Sequence, residues 1–71
     1  MTGRPVKHSL TLNGHRTSVS LEAAFWQALR QIAQEKSTPL NTIAAEIDAA
    51  RSPDTGLASA IRVFVLAHYQ R

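Results

Sequence analysis

The spacing of the apolar residues changes from two to three or four at Leu21. Up to this residue the chain alternates as a strand does, and the polar side of the strand carries Arg16, Ser18 and Ser20. Beyond it, apolar residues recur on one face of a helix, at Phe25, Leu29, Ile32 and Ala33. The pattern therefore predicts a short strand that leads directly into an amphipathic helix.

A second alternating segment, His8 to Leu12, lies upstream and is followed by Asn13-Gly14. An Asn-Gly pair between alternating segments indicates a hairpin, because a type I′ turn needs positive φ at both central residues. In such a hairpin Leu10 faces Thr17, and the polar sides of the two segments coincide. Residues 7–21 are therefore predicted to form either one strand or a hairpin.

Three helices are predicted after the strand, over residues 22–36, 39–51 and 57–69. Thr38 is the expected N-cap of the second helix, and Pro39 suits its first helical position. The third helix is apolar nearly all round, which is typical of a helix buried in a core or an interface.

The chain has 71 residues and no cysteine. A chain of this length buries only about 60% of its unfolded surface, which is marginal for a monomer. A disulfide or a thiolate metal site cannot add stability here, so an obligate homodimer is expected. A strand with a polar outer face and no sheet of its own also needs a partner, and a second copy of the same strand would serve.

Charge is distributed unevenly along the chain, which has a net charge of +3. The segment through Leu21 carries Arg4, Lys7 and Arg16 and no acidic residue, whereas acidic and basic residues balance beyond it. Residues 1–6 are expected to be a flexible basic arm. A polyanion is the natural partner of such a segment, because neutralising phosphates releases counterions.

The sequence gives little indication of a metal site or a catalytic site. His8, His15 and His68 have no metal-ligand spacing, and neither serine of the strand has an acid and a base placed for catalysis. We expect no metal, no cofactor, no small-molecule ligand and no enzymatic activity. No run approaches 18 apolar residues and no secretion signal is evident, so a cytoplasmic protein without a membrane partner is expected, associated with the nucleoid if it binds DNA.

The strand at residues 16–21, the helix from Glu22, the turn at 37–41 and the second helix through Ile47 resemble the ribbon-helix-helix family, the fold of the Arc and methionine repressors. Residues 14–22, with Phe25-Trp26, resemble a compact bacterial subgroup that has a third helix. The resemblance implies a single mainly α domain over residues 1–71, with the order β-(β)-α-α-α. It also implies a homodimer in which two strands pair antiparallel and enter the major groove of DNA.

The resemblance implies roles for individual residues as well. Base edges would be contacted by Arg16, Ser18 and Ser20, although serines make short, ambiguous contacts. Phosphates would be held by the start of the second helix, through Thr38, Leu40 and Asn41, with Arg4 and Lys7 adding contacts from the arm. The dimer core would contain Val19, Leu21, Phe25, Leu29, Ile43, Ile47, Ile61, Phe64 and Val65.

Two functions follow from these expectations. The first is a small dimeric DNA-binding protein that regulates transcription, and the second is a dimeric interaction module whose third helix docks a protein partner without DNA. The possible hairpin distinguishes them. Two strands fit a groove about 12 Å wide, whereas four strands about 4.8 Å apart span about 15 Å.

Overall fold

The computed structural model describes residues 3–70 and shows two strands followed by three helices. This order confirms the predicted mainly helical fold with a short β-ribbon. The elements are β1 (Pro5–Leu12), β2 (His15–Glu22), α1 (Ala23–Glu35), α2 (Leu40–Ala50) and α3 (Leu57–Tyr69).

The two strands form an antiparallel hairpin, so the hairpin alternative is confirmed. Leu12 faces His15 across the turn, and Asn13 and Gly14 have φ of 53° and 85°, as a type I′ turn requires. The expectation of a flexible arm through residue 6 is wrong at its end, because β1 begins at Pro5. Pro5 faces Glu22 at the open end of the hairpin, where a proline is tolerated as the first residue of a strand.

One face of the hairpin is covered by the three helices. The helices and strands share a single core, to which the sheet contributes Leu10, Leu12, Val19 and Leu21. The helices contribute Leu29, Ile32, Ala33, Ile43, Ala44, Ile47, Ile61 and Val65. Among the helices, α2 packs mainly against β1 and α3 against β2, whereas α1 packs against β2 and also reaches His8 of β1 through Trp26.

Most residues expected in a dimer core are buried within one chain. Seven of them belong to the core just described, and Phe25 and Phe64 pack against it half-buried. The third helix is not buried all round, because Val63 and Leu66 are exposed. A single copy therefore covers its own hairpin, and the contribution of a second copy stays a prediction.

The end of α1 is closed by a Schellman motif. The backbone N–H of Thr38 donates to the carbonyl oxygen of Ala33, and that of Ser37 donates to Gln34, each at 3.0 Å. This motif requires a left-handed residue, and Ser37 adopts φ 51°. A serine thus occupies a position that glycine fills with less strain.

The prediction that Thr38 caps the second helix is wrong. Its hydroxyl donates to the carbonyl oxygen of Lys36 at 3.0 Å, and its N–H is already used in closing α1. Thr38 therefore belongs to the end of α1. Pro39 precedes the first helical residue with φ −59° and ψ 143°, and its carbonyl accepts the N–H groups of Thr42 and Ile43.

We expect Ser37→Gly to raise the free energy of unfolding by about 1 kcal/mol, since glycine lacks the β-carbon that disfavours positive φ. Thermal or urea denaturation measures the change. Ser37→Ala is the matched control, because it removes the hydroxyl but keeps the β-carbon, and it should give no gain. An equal gain in both variants would mean that the hydroxyl, rather than the backbone conformation, is unfavourable.

Candidate nucleic-acid interface

The outer face of the hairpin, away from the helices, is polar and exposed. Its side chains belong to Lys7, Ser9, Thr11, Arg16, Ser18 and Ser20. The three residues predicted to contact bases thus lie side by side on β2, and Lys7 lies opposite Ser20 on β1. Two of these groups are cationic, and the carboxylate of Glu22, two residues beyond Ser20, is bonded to Arg62 of α3.

The direction of the backbone groups follows from one hydrogen bond. The N–H of Thr11 donates to Oδ1 of Asn41, on α2, at 3.2 Å, so it points away from β2. Thr11 and Arg16 are consequently a pair that shares no ladder hydrogen bonds. Because such pairs alternate along an antiparallel ladder, Ser18 and Ser20 also direct their N–H and C=O groups away from β1.

The two edges of the sheet therefore differ. At the β1 edge, α2 lies alongside and Asn41 occupies the N–H of Thr11. At the β2 edge, the sheet has no third strand in the part of the chain that the structure describes. The residues with outward backbone groups at that edge are Arg16, Ser18 and Ser20, the same ones whose side chains form the outer face.

The start of α2 keeps part of the predicted phosphate site. The N–H groups of Leu40 and Asn41 meet no backbone or side-chain acceptor within residues 3–70. The Asn41 oxygen is engaged with Thr11, and the Thr38 hydroxyl is turned back towards α1. Glu46 lines the cleft between Asn41 and Thr11, which makes the cleft itself unfavourable for an anion.

The predicted arm residues have different settings. Arg4 is exposed and precedes β1, whereas Lys7 belongs to the strand and extends from the outer face. Lys7 is therefore held at a fixed position in the sheet rather than on a flexible segment.

Two carboxylates close to the sheet are paired with arginines. Glu22 accepts two hydrogen bonds from the guanidinium of Arg62, at 2.9 and 3.0 Å. These bonds hold the pKa of Glu22 below its usual value of 4.5. Near the C-terminal end of α2, Asp48 accepts a hydrogen bond from Arg51 at 2.7 Å. Both pairs are partly exposed, so each neutralises local charge more than it stabilises the fold.

The aromatic residues at the start of α1 are engaged within the chain. Trp26 stacks on His8 of β1, with ring centroids 3.9 Å apart and planes within 4°. Phe25 has the Arg62 guanidinium carbon 5.9 Å from its ring centroid. Both side chains are thus used in packing within the chain.

The remaining histidines do not come together. His15 is exposed beside the turn, and Nε2 of His68 lies 3.3 Å from Oε1 of Glu35. Within residues 3–70, no three histidine or acidic side chains are grouped so that they could hold a metal ion. No helix in that range is long and apolar enough to cross a membrane.

Two contacts of this region were not foreseen from the sequence. The Glu22–Arg62 pair joins residues 40 positions apart, and the Asn41–Thr11 bond joins residues 30 apart. Glu22 lies directly before α1, yet its carboxylate bonds Arg62 of α3. No local pattern signals either contact, because each depends on how the helices pack under the sheet.

Comparison with protein families supports the fold. A sequence model described as the ribbon-helix-helix domain matches residues 5–69, which covers both strands and all three helices. The chain belongs to the ribbon-helix-helix family, whose fold is regulatory and DNA-binding. No curated protein and no solved structure matches the chain.

The Glu22–Arg62 pair predicts a pH-dependent effect. Because the folded pKa of Glu22 is lowered, its contribution to stability is present above pH 4.5 and is lost as the pH falls through the folded pKa. We expect Arg62→Gln to lower Tm at pH 7 and to lower it less at pH 3. Thermal unfolding across this range, with the exposed Arg30→Gln as a control, measures the difference. A deficit independent of pH would assign the role of Arg62 to its contact with Phe25.

Proposed function

We propose that this protein is a homodimeric DNA-binding regulator, in which the β2 strands of two copies pair and face the major groove. One observation carries the proposal: Arg16, Ser18 and Ser20 present their side chains on an exposed face and their backbone groups at an unpaired edge. Family membership supports both the dimer and the nucleic-acid partner.

The second copy joins at β2 because the two edges are not equivalent. Asn41 occupies the β1 edge at Thr11, whereas the outward N–H and C=O groups of β2 form an uninterrupted series. An antiparallel ladder between two β2 strands satisfies these groups reciprocally around a twofold axis near Ser18. The dimer then contains a four-stranded sheet in the order β1, β2, β2, β1.

The confirmed hairpin counts against insertion of a simple two-stranded ribbon, so the proposal depends on how the wider sheet meets DNA. Four strands span about 15 Å between their outer axes, and the major groove is about 12 Å wide. The central β2 pair therefore faces the base edges, while each β1 strand lies over a phosphate backbone. Arg16, on the central strand, is long enough to form two hydrogen bonds with a guanine, whereas the serines are short.

The outer strands and the α2 termini supply the phosphate contacts in this arrangement. Lys7 projects from β1 on the face that meets DNA. The N–H groups of Leu40 and Asn41 lie beyond the same strand, since Asn41 touches Thr11, and a helix N-terminus favours an anion. Arg4 adds a charge at the start of β1. These phosphate contacts orient the dimer on DNA, and Arg16 makes the main contact with the bases.

We expect Lys7→Gln to weaken binding to every duplex sequence, because phosphates carry no sequence information. A dimer loses two such contacts, so the slope of log K against log salt should decrease by about 2. We expect Arg16→Gln to reduce affinity for a duplex selected from a random pool by roughly 5- to 150-fold for each of the two Arg16 contacts that the dimer loses, and to affect unselected duplex much less. Fluorescence anisotropy at several salt concentrations measures both.

Arg30→Gln is the matched control, since Arg30 is an exposed residue of α1 away from the outer face. The Arg30→Gln substitution removes one positive charge from each copy, as Arg16→Gln does, and should leave the affinity for the selected duplex nearly unchanged. Equal losses for Arg16→Gln on all sequences would make Arg16 a phosphate contact. Absence of binding at low salt would refute DNA as the partner and favour the dimeric protein-interaction module.

Proline substitutions test the pairing edge without DNA. We expect Ser18→Pro to convert the dimer to a folded monomer, because it removes an outward N–H of β2 while leaving the hairpin ladder intact. Ser9→Pro is the matched control: Ser9 lies directly opposite, and its N–H points outward from β1. Sedimentation velocity at micromolar concentration measures the assembly, and circular dichroism checks the fold.

The comparison between the two variants decides which edge pairs. Loss of the dimer in Ser9→Pro alone would place the interface at β1 and contradict the proposal. A wild-type chain that sediments as a folded monomer would exclude the homodimer altogether.

A further inference from the structure

The exposed side of α3 carries an uncharged row of residues. These residues lie on one face of the helix, because each is three or four positions from another of the set: Ser59, Val63, Leu66, Ala67 and Gln70. Val63 is 65% exposed and Leu66 is 54% exposed, which makes them the two most exposed large apolar residues of the described chain. Two large apolar side chains exposed next to each other, on a helix whose other side fills the core, indicate a contact surface.

A shallow groove continues from this row towards the end of α2. Its walls include Ile47 and Ala50 of α2 together with Ala60 and Val63 of α3, and Arg51 borders it. Arg51 also borders a second cleft, which reaches Leu57 and the β2 residues Thr17 and Ser18. Arg51 therefore connects the groove beside Val63 with the cleft that reaches Ser18 of β2.

The charge in the middle of this surface is already compensated. The guanidinium of Arg51 donates to Asp48 at 2.7 Å and to the carbonyl oxygen of Thr55 at 2.7 Å. Interface centres disfavour unpaired charge, and a paired, hydrogen-bonded arginine is the form in which one is tolerated there. The surface can consequently be covered by protein without leaving Arg51 unpaired.

The area needed for a stable dimer indicates what covers it. A specific interface buries about 800 Å² on each partner. A single ladder between two short strands buries less area than this, so an additional apolar contact would strengthen the β2 pairing. The α3 row and its groove are the exposed apolar surface that Arg51 connects with the cleft at Thr17 and Ser18.

We infer that a second copy of this chain covers the α3 row, with Val63 and Leu66 of each copy packing against α3 and the adjoining groove of the other. The inference rests on the proposed dimer and adds a second contact region to its β2 ladder. Around a twofold axis the same patch meets itself, so each substitution acts twice in the dimer.

Aspartate substitutions in the row test this contact. We expect Val63→Asp and Leu66→Asp each to raise the dimer dissociation constant at least tenfold while leaving the monomer folded, since both side chains are exposed in one copy. Val63→Ile should dimerise as the wild type does. Val6→Asp is the matched control, because Val6 is 49% exposed but lies at the open end of β1. Sedimentation equilibrium gives the constants.

The dissociation constants of the α3 variants are compared with the assembly state of Ser18→Pro. If Val63→Asp and Leu66→Asp keep the wild-type dissociation constant while Ser18→Pro is a monomer, the α3 contact is overturned and the β2 dimer is retained. Dissociation in the α3 variants with an intact Ser18→Pro dimer would support the α3 contact and overturn the strand pairing. A monomeric wild type would overturn both, and an equal effect of Val6→Asp would overturn the specific role of α3.

Discussion

The antiparallel register between β1 and β2 is the constraint on which the rest of this structure depends. It directs Leu10, Leu12, Val19 and Leu21 into the core and leaves the opposite face polar. The same register determines which backbone groups turn outward, because paired and unpaired positions alternate along the ladder. A shift by one residue would exchange the two faces, so the core and the candidate interface depend on one pairing.

The helices make the two edges of the hairpin unequal. α2 lies along β1 and bonds its edge through Asn41, whereas β2 keeps its outward groups free within the described residues. An exposed strand edge is a template for another chain, and proteins generally cover or pair such edges. In the proposed dimer this exposed edge pairs with the second copy, and it belongs to the strand that carries Arg16.

The proposed DNA complex differs from a simple two-stranded ribbon because the hairpin doubles the width of the sheet. In this complex the wider sheet brings Lys7 over the DNA backbone and leaves Arg16 near the bases. Phosphate binding therefore depends on β1, and base recognition depends on β2. The α3 row would then stabilise a dimer whose strand ladder is short. Each part can be altered separately, since Lys7, Ser18 and Val63 lie on three different elements.

Local patterns in the sequence determined much of this protein. The alternation on either side of Asn13-Gly14 predicted the hairpin, and the helical spacing after Leu21 predicted α1, because both depend on neighbouring residues. Only the tertiary structure decided that Thr38 closes α1 rather than caps α2, that Glu22 bonds Arg62, and that Asn41 occupies the β1 edge. These outcomes depend on where distant elements pack, and residues 30 to 40 positions apart leave no periodic signal of their contact.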